Sequence, residues 1–170
     1  MTTVVVTGVG ATTPLGGTAT ETWANALAGK SGIRTLPFDW VADLPVTFAG
    51  MAVAEPADQG LEPVKARRLD RSQQFAVVAS REAWADAGLS DVDKDRLGVA
   101  YATGIGGIIS VLTNYDTLKE KGWRRIPVLS VPQLMPNGPA AWVGLEFGAR
   151  AGVHCPVSAC ASGAEAVAVG

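Results

Sequence analysis

The chain has 170 residues, 48% apolar and 18% charged, which allows a domain with a real core and excludes a disordered segment. Its net charge of −2 gives no reason to expect nucleic acid or an anionic membrane as a partner. No stretch reaches the length of a bilayer span, and the N-terminus lacks the basic flank and apolar core of a secretory signal. Cys155 and Cys160 lie five positions apart, too far to bridge if the segment between them is extended. His154 is the single histidine, so no metal-ligand spacing exists and neither metal nor cofactor is expected. A reducing, intracellular compartment is the default, and the expected location is the cytoplasm.

Residues 3–7 are a β-branched run that predicts a buried strand. Gly8-Val9-Gly10 follows, but a dinucleotide fingerprint would need glycine at position 13, where Thr13 stands, so a tight turn is the reading. Thr18 and Glu21 form a capping box for a helix that carries Trp23 and Leu27 and stops at Gly29. Residues 30–45 read as loop, 46–53 as a weakly alternating edge strand and 55–63 as polar turns. The clearest helix spans 70–87 and is closed by Gly88. On it Ala76, Ala79, Ala83 and Ala87 make a small-residue stripe against which another element can pack closely. Arg67, Arg68, Arg71 and Arg81 give it a basic side, read as a solvated face, with a docking surface for an acidic partner as the alternative.

Residues 97–103 predict a second buried strand, which runs into Gly104-Ile105-Gly106-Gly107. That loop lacks the Lys-Ser/Thr that would make it a phosphate cradle. A helix over 108–120 ends at Gly122. Prolines 127, 132, 136 and 139 then impose an irregular path of the kind that lines a site or an interface. A short helix over 140–147 and a turn at 148–152 lead into a strand carrying Cys155 and Cys160.

The last motif runs Pro156-Val157-Ser158-Ala159-Cys160-Ala161-Ser162-Gly163 and reads as a buried strand, a sharp turn and a helix starting near Ala161. Cys160 stands at the turn among small residues that leave room for a substrate atom. A thiol at a helix start meets the positive end of the macrodipole, which favours the nucleophilic thiolate. Cys160 is therefore the candidate acyl carrier; the competing reading is a small buried hydrophobe. His154, six residues upstream, lies on the order of 20 Å away along an extended strand and reads as a structural or surface histidine. Strands and helices alternating through short connections predict a layered α/β architecture. The pattern stops at Gly170 inside a helix, as expected of a fragment of a longer protein.

Five segments carry a resemblance: VVVTGVGATTPLG near the N-terminus, TWANALAGKSGI at 22–33, ATGIGG at 102–107, MPNGPAA at 135–141 and PVSACASGAEA at 156–166. They follow one another as in the elongating β-ketoacyl-acyl carrier protein synthases of type II fatty acid synthesis. The chain resembles these enzymes, most of all their actinobacterial versions, over essentially its whole length. The resemblance implies a thiolase-like layered α/β/α fold, of which residues 1–170 supply the first half, cut after the nucleophile turn. It implies acyl transfer onto a cysteine, then decarboxylative condensation with a malonyl group on acyl carrier protein. Cys160 then matches the acylated nucleophile, and its backbone N–H matches one donor of the oxyanion hole. Ile105 matches the gate of the acyl pocket, and Leu129 and Ser130 fall in the segment that crosses the dimer interface and lines the partner's pocket. A phenylalanine region of the family reads Val128-Leu129-Ser130-Val131 here, which leaves pocket depth open. The resemblance places the two catalytic histidines, the lysine and the second oxyanion donor beyond Gly170. The expected partners are acyl carrier protein and an identical chain. A polyketide ketosynthase paired with a chain-length factor is the alternative; chain-length factors themselves lack the cysteine. A non-catalytic α/β scaffold with Cys160 inert is the reading from a different class.

Overall fold

In a computed structural model, which describes residues 3–170, Thr18 starts the first helix as its capping pattern requires. Its hydroxyl accepts the Glu21 N–H at 3.2 Å, and the Glu21 carboxylate accepts the Gly17 N–H at 2.9 Å. Helix α1 (Ala19–Leu27) ends before Gly29, whose φ of +66° suits a residue without a Cβ. This helix belongs to a unit made of the residues up to Gly60 together with Val78–Gly88. In the same unit β1 (Ile33–Thr35) pairs antiparallel with β2 (Phe48–Gly50), Ile33 facing Gly50. Strand β2 falls inside the edge strand expected at 46–53. Strand β1 falls inside the stretch read as loop, because three residues are too few for alternation to show.

The expected strand at 3–7 does not form. A β-branched run becomes a strand only against a ladder partner, and among the described residues none runs beside it. Val4, Val5 and Val6 are accordingly exposed. The chain is anchored just after them instead. A Cβ on Gly8 would stand 2.2 Å from the Ala83 carbonyl oxygen, and one on Gly10 would stand 2.0 Å from that of Ala79. The small-residue stripe of α3 (Arg71–Ala87) thus receives the backbone of Gly8 and Gly10. Carboxylates of the same helix satisfy the segment's donors: Val9 N–H donates to Asp86 at 2.9 Å and Ala11 N–H to Glu82 at 2.8 Å. Close helix packing, rather than a nucleotide, accounts for the Gly-x-Gly spacing.

The second unit comprises Leu61–Val77 and Leu89–Gly170. It holds α2 (Pro63–Ala66), the first part of α3, β3 (Gly98–Ala100), α4 (Ile108–Lys121), α5 (Ser130–Leu134), α6 (Gly138–Phe147), β4 (Gly152–His154) and α7 (Ser162–Val169). Strands β3 and β4 pair in parallel, Val99 facing Val153, with the intervening helices supplying the long crossover that parallel pairing needs. The strand expected at 97–103 is half-buried rather than buried and pairs over 98–100, because its partner is only three residues long. Helix α5 was not expected among the prolines; Pro132 fits because it lies in the first turn, where its missing N–H has no helical partner to serve. The core gathers Leu61, Leu69, Val77, Ala140 and Val143, and an ion pair between Lys65 and Glu146 joins α2 to α6. Among the described residues no helix is long and apolar enough to cross a membrane.

Candidate functional site

Strand β4 stops at His154, so the buried strand expected to carry Cys160 is not continuous. Residues 155–158 carry no ladder, and Pro156 has no N–H to give to one. A single 3-10 turn, Ala159–Ala161, then leads directly into α7. Cys160 lies at the middle of this turn with its side chain exposed, and both cysteines are free. Cys155 is half-buried and its Sγ donates to the Pro136 carbonyl at 3.1 Å. The turn is sharp enough to place Ala159 at φ +51°, the one non-glycine with positive φ among the described residues. Such a conformation costs about 1–3 kcal/mol and persists only where neighbours enforce it. Here the enforcing group is Ser162, 2% exposed, whose Oγ accepts the Ser158 N–H at 2.9 Å and donates to the Ala159 carbonyl at 2.7 Å.

The Gly-rich loop meets this turn. A Cβ on Gly104 would stand 3.0 Å from the Ala159 carbonyl oxygen, so a bare backbone is what permits the approach. Ile105, the next residue, is 66% exposed. The loop's other end presses on the segment after α5. Gly106, at φ +77°, faces the Leu134 carbonyl and Pro136, and Gly107 faces the Gln133 carbonyl. Leu129 and Ser130 stand at the opposite end of α5, where the Ser130 hydroxyl donates to the Pro127 carbonyl at 2.6 Å. The structure therefore brings the loop of Ile105 to the turn of Cys160, while the described contacts of Leu129 and Ser130 do not include that turn. A cleft of about 230 Å³ beside α6 is lined by Pro132, Met135, Trp142 and Leu145, among others, and includes none of Cys160, Ile105 or Leu129. His154 is exposed, and its carbonyl accepts the Tyr101 N–H at 3.1 Å. Burial pushes the Tyr101 hydroxyl above its ordinary pKa.

Two buried polar residues that the sequence did not single out hold this framework. Asp70 is 4% exposed and caps two helices at once. One oxygen accepts the Ser72 N–H and hydroxyl at the start of α3, the other the Ser110 N–H and hydroxyl at the start of α4. Burial alone would raise its pKa, but the bonds from Ser110 and Ser72 outweigh it and hold the carboxyl below its ordinary value. Gln73 is fully buried; its Nε2 donates to the Pro132 carbonyl at 2.7 Å and to that of Gln133 at 3.2 Å, while its Oε1 accepts the Asp70 N–H. An acidic residue two before a serine at a helix start was the available signal for Asp70. Nothing in the local pattern marks Gln73 or Ser162. Among the described residues no group of three His, Cys, Asp or Glu side chains could hold a metal ion.

The family model described as beta-ketoacyl synthase, N-terminal domain, matches residues 1–170. The 3-oxoacyl-[acyl-carrier-protein] synthase 2 of Mycobacterium bovis is 46% identical over 167 residues, which cover 97% of this chain and 40% of that protein. A beta-ketoacyl synthase from Burkholderia phymatum, known from its crystal structure, superposes with a TM-score of 0.77 at 33% identity over 99% of this chain and 42% of its own. A type II PKS acyl-carrier protein in complex with its ketosynthase bound to the hexaketide gives a TM-score of 0.69 at 18% identity, covering 96% of this chain and 44% of that one. This chain thus spans about 40% of the length of its curated relative and carries the thiolase-like α/β fold of these ketosynthases.

Proposed function

The chain belongs to the β-ketoacyl synthase family, and on that basis we propose that it is the nucleophile-bearing N-terminal half of a 3-oxoacyl-[acyl-carrier-protein] synthase of fatty acid elongation. Cys160 takes an acyl group from acyl carrier protein. Its sulfur attacks the thioester carbonyl, the new C–S bond forms as the old one breaks, and the proton lost by Cys160 ends on the carrier's thiol. The Cys160 N–H stabilises the oxyanion between these events. A malonyl thioester then loses carbon dioxide, its carbanion attacks the acyl carbon, and the Cys160 thiolate leaves. The 3-oxoacyl product stays on the carrier. The observation that supports this most is the exposure of Cys160 on an enforced turn directly ahead of α7. The test is mass spectrometry of the intact protein after incubation with octanoyl-loaded carrier protein. An octanoyl mass on the Cys160 peptide is expected; its absence rejects the enzyme and leaves the non-catalytic scaffold.

Ile105, next in the chain to the Gly104 that lies against the Cys160 turn, takes the role of gate to the acyl pocket, and Leu129 and Ser130 that of lining residues contributed to a partner subunit. Ile105→Phe narrows the entrance, so the product profile is expected to shift to shorter chains at nearly unchanged acylation by acetyl or butyryl donors. An unaltered profile removes Ile105 from that role.

The same reading assigns a second, identical subunit. Its support is the apolar surface that α4 and the residues after it leave uncovered: Ile109, Leu112, Tyr115 and Trp123 are each more than half exposed and Val128 is 97% exposed. Sedimentation of the intact protein is expected to show a homodimer; a monomer, or a dimer only with a chain-length factor, would favour the scaffold or the polyketide reading respectively. With no membrane-spanning helix among the described residues and free cysteines, cytoplasm is the proposed location.

A further inference from the structure

We propose that Ser162 is a positioning residue that aims the oxyanion-hole N–H of Cys160; this rests on the acyl-transfer reading of Cys160 and adds a role for a residue that touches no substrate. The peptide between Ala159 and Cys160 is a planar trans unit, so its C=O and the Cys160 N–H point in opposite directions and move together. The C=O is held from one side by two donors of the same residue, the Ser162 N–H and the Ser162 hydroxyl at 2.7 Å. The hydroxyl also takes the Ser158 N–H at 2.9 Å, closing the turn around Ala159 at φ +51°. With the carbonyl fixed inward against buried Ser162, the N–H is fixed outward, on the side where the Cys160 side chain is exposed. It donates to no atom of the described residues and is therefore available to a developing oxyanion.

Losing the hydroxyl removes its bonds to the Ala159 carbonyl and the Ser158 N–H, keeps the Ser162 N–H as that carbonyl's remaining donor, and leaves the sulfur in place. Held by one donor instead of two, the peptide plane can tilt, and an N–H tilted off the oxyanion stabilises it less. Alkylation of the same sulfur by iodoacetamide builds no oxyanion and does not call on that N–H. The two reactions therefore separate a positioning role from a loss of structure.

In the intact protein, Ser162→Ala is expected to slow single-turnover acylation by octanoyl-loaded carrier protein about 10- to 100-fold. The rate of iodoacetamide alkylation of Cys160, and its pH profile, are expected to stay within about twofold of the parent, because the sulfur keeps its place in the turn. Ser162→Thr, which keeps the hydroxyl, is expected to restore most of the acylation rate. Acylation of the alanine variant within about threefold of the parent, or a parallel fall in acylation and alkylation, overturns the proposal. Should the alanine variant fail to fold, Ser162→Cys, with its weak S–H donor, carries the test: its acylation is expected to fall at least about fivefold, and a rate within twofold overturns the proposal. If the parent protein is itself not acylated, it is the acyl-transfer reading that fails rather than the role of Ser162.

Discussion

If Cys160 is the acyl carrier as proposed, replacing it with alanine is expected to abolish acyl transfer in the intact protein, a loss of more than about 1,000-fold, since only the binding and electrostatic remainder of catalysis would be left. Cys155→Ala is the internal control. Its thiol is half-buried and makes weak bonds to the Pro136 and Pro156 carbonyls, so the change is expected to stay within about threefold. The measurement is transfer of a labelled octanoyl group from carrier protein to the enzyme. Comparable losses from both substitutions would mean that neither sulfur is the acyl carrier and that the segment is merely packing-sensitive. The contrast follows from the environments of the two thiols, one on an exposed enforced turn and the other tied into the framework.

The second large effect is structural. Asp70→Asn is expected to lower the unfolding free energy of the intact protein at neutral pH by about 2–4 kcal/mol, since two helix N-termini lose a charged cap together. The pH dependence has a definite sign. The folded-state pKa of Asp70 lies below the ordinary value, so the folded protein holds its proton less tightly than the unfolded chain does. Its contribution is therefore complete above the ordinary carboxylate range and declines as the pH falls through the folded-state value. The gap between parent and Asp70→Asn is accordingly expected to narrow on acidification below about pH 4. Urea denaturation of both proteins at several pH values reads this directly. A gap that keeps its size down to the acid transition, or that is under half a kilocalorie at neutral pH, would show that the two caps do not depend on the charge.

The consequences of Asp70 reach the candidate site through backbone. It starts α4, whose preceding loop carries Gly104 and Ile105, and it is bonded to Gln73, which fixes the carbonyls of Pro132 and Gln133, the second of which faces Gly107. Disturbing this pair moves the loop that borders Cys160, although neither residue approaches the sulfur in any described contact.

What could be read from the chain alone was whatever a few consecutive residues decide. The capping box at Thr18 and Glu21, the helix closed by Gly88, the helix closed by Gly122 and the small-residue turn at Cys160 are all local, because capping, left-handed glycine and helical periodicity act within about four residues. Five ordered motifs carried the family. The tertiary structure alone decided the rest. It left Val4 to Val6 unpaired because a strand needs a neighbour, and it joined Ile33 to Gly50 although the separate strands are too short to declare themselves. It also set Asp70 beside Ser110, forty residues away in the chain, and turned the Ser162 hydroxyl back onto the peptide ahead of Cys160. Those choices depend on which buried polar groups find partners once the chain has closed on itself, and a one-dimensional pattern holds no record of that pairing.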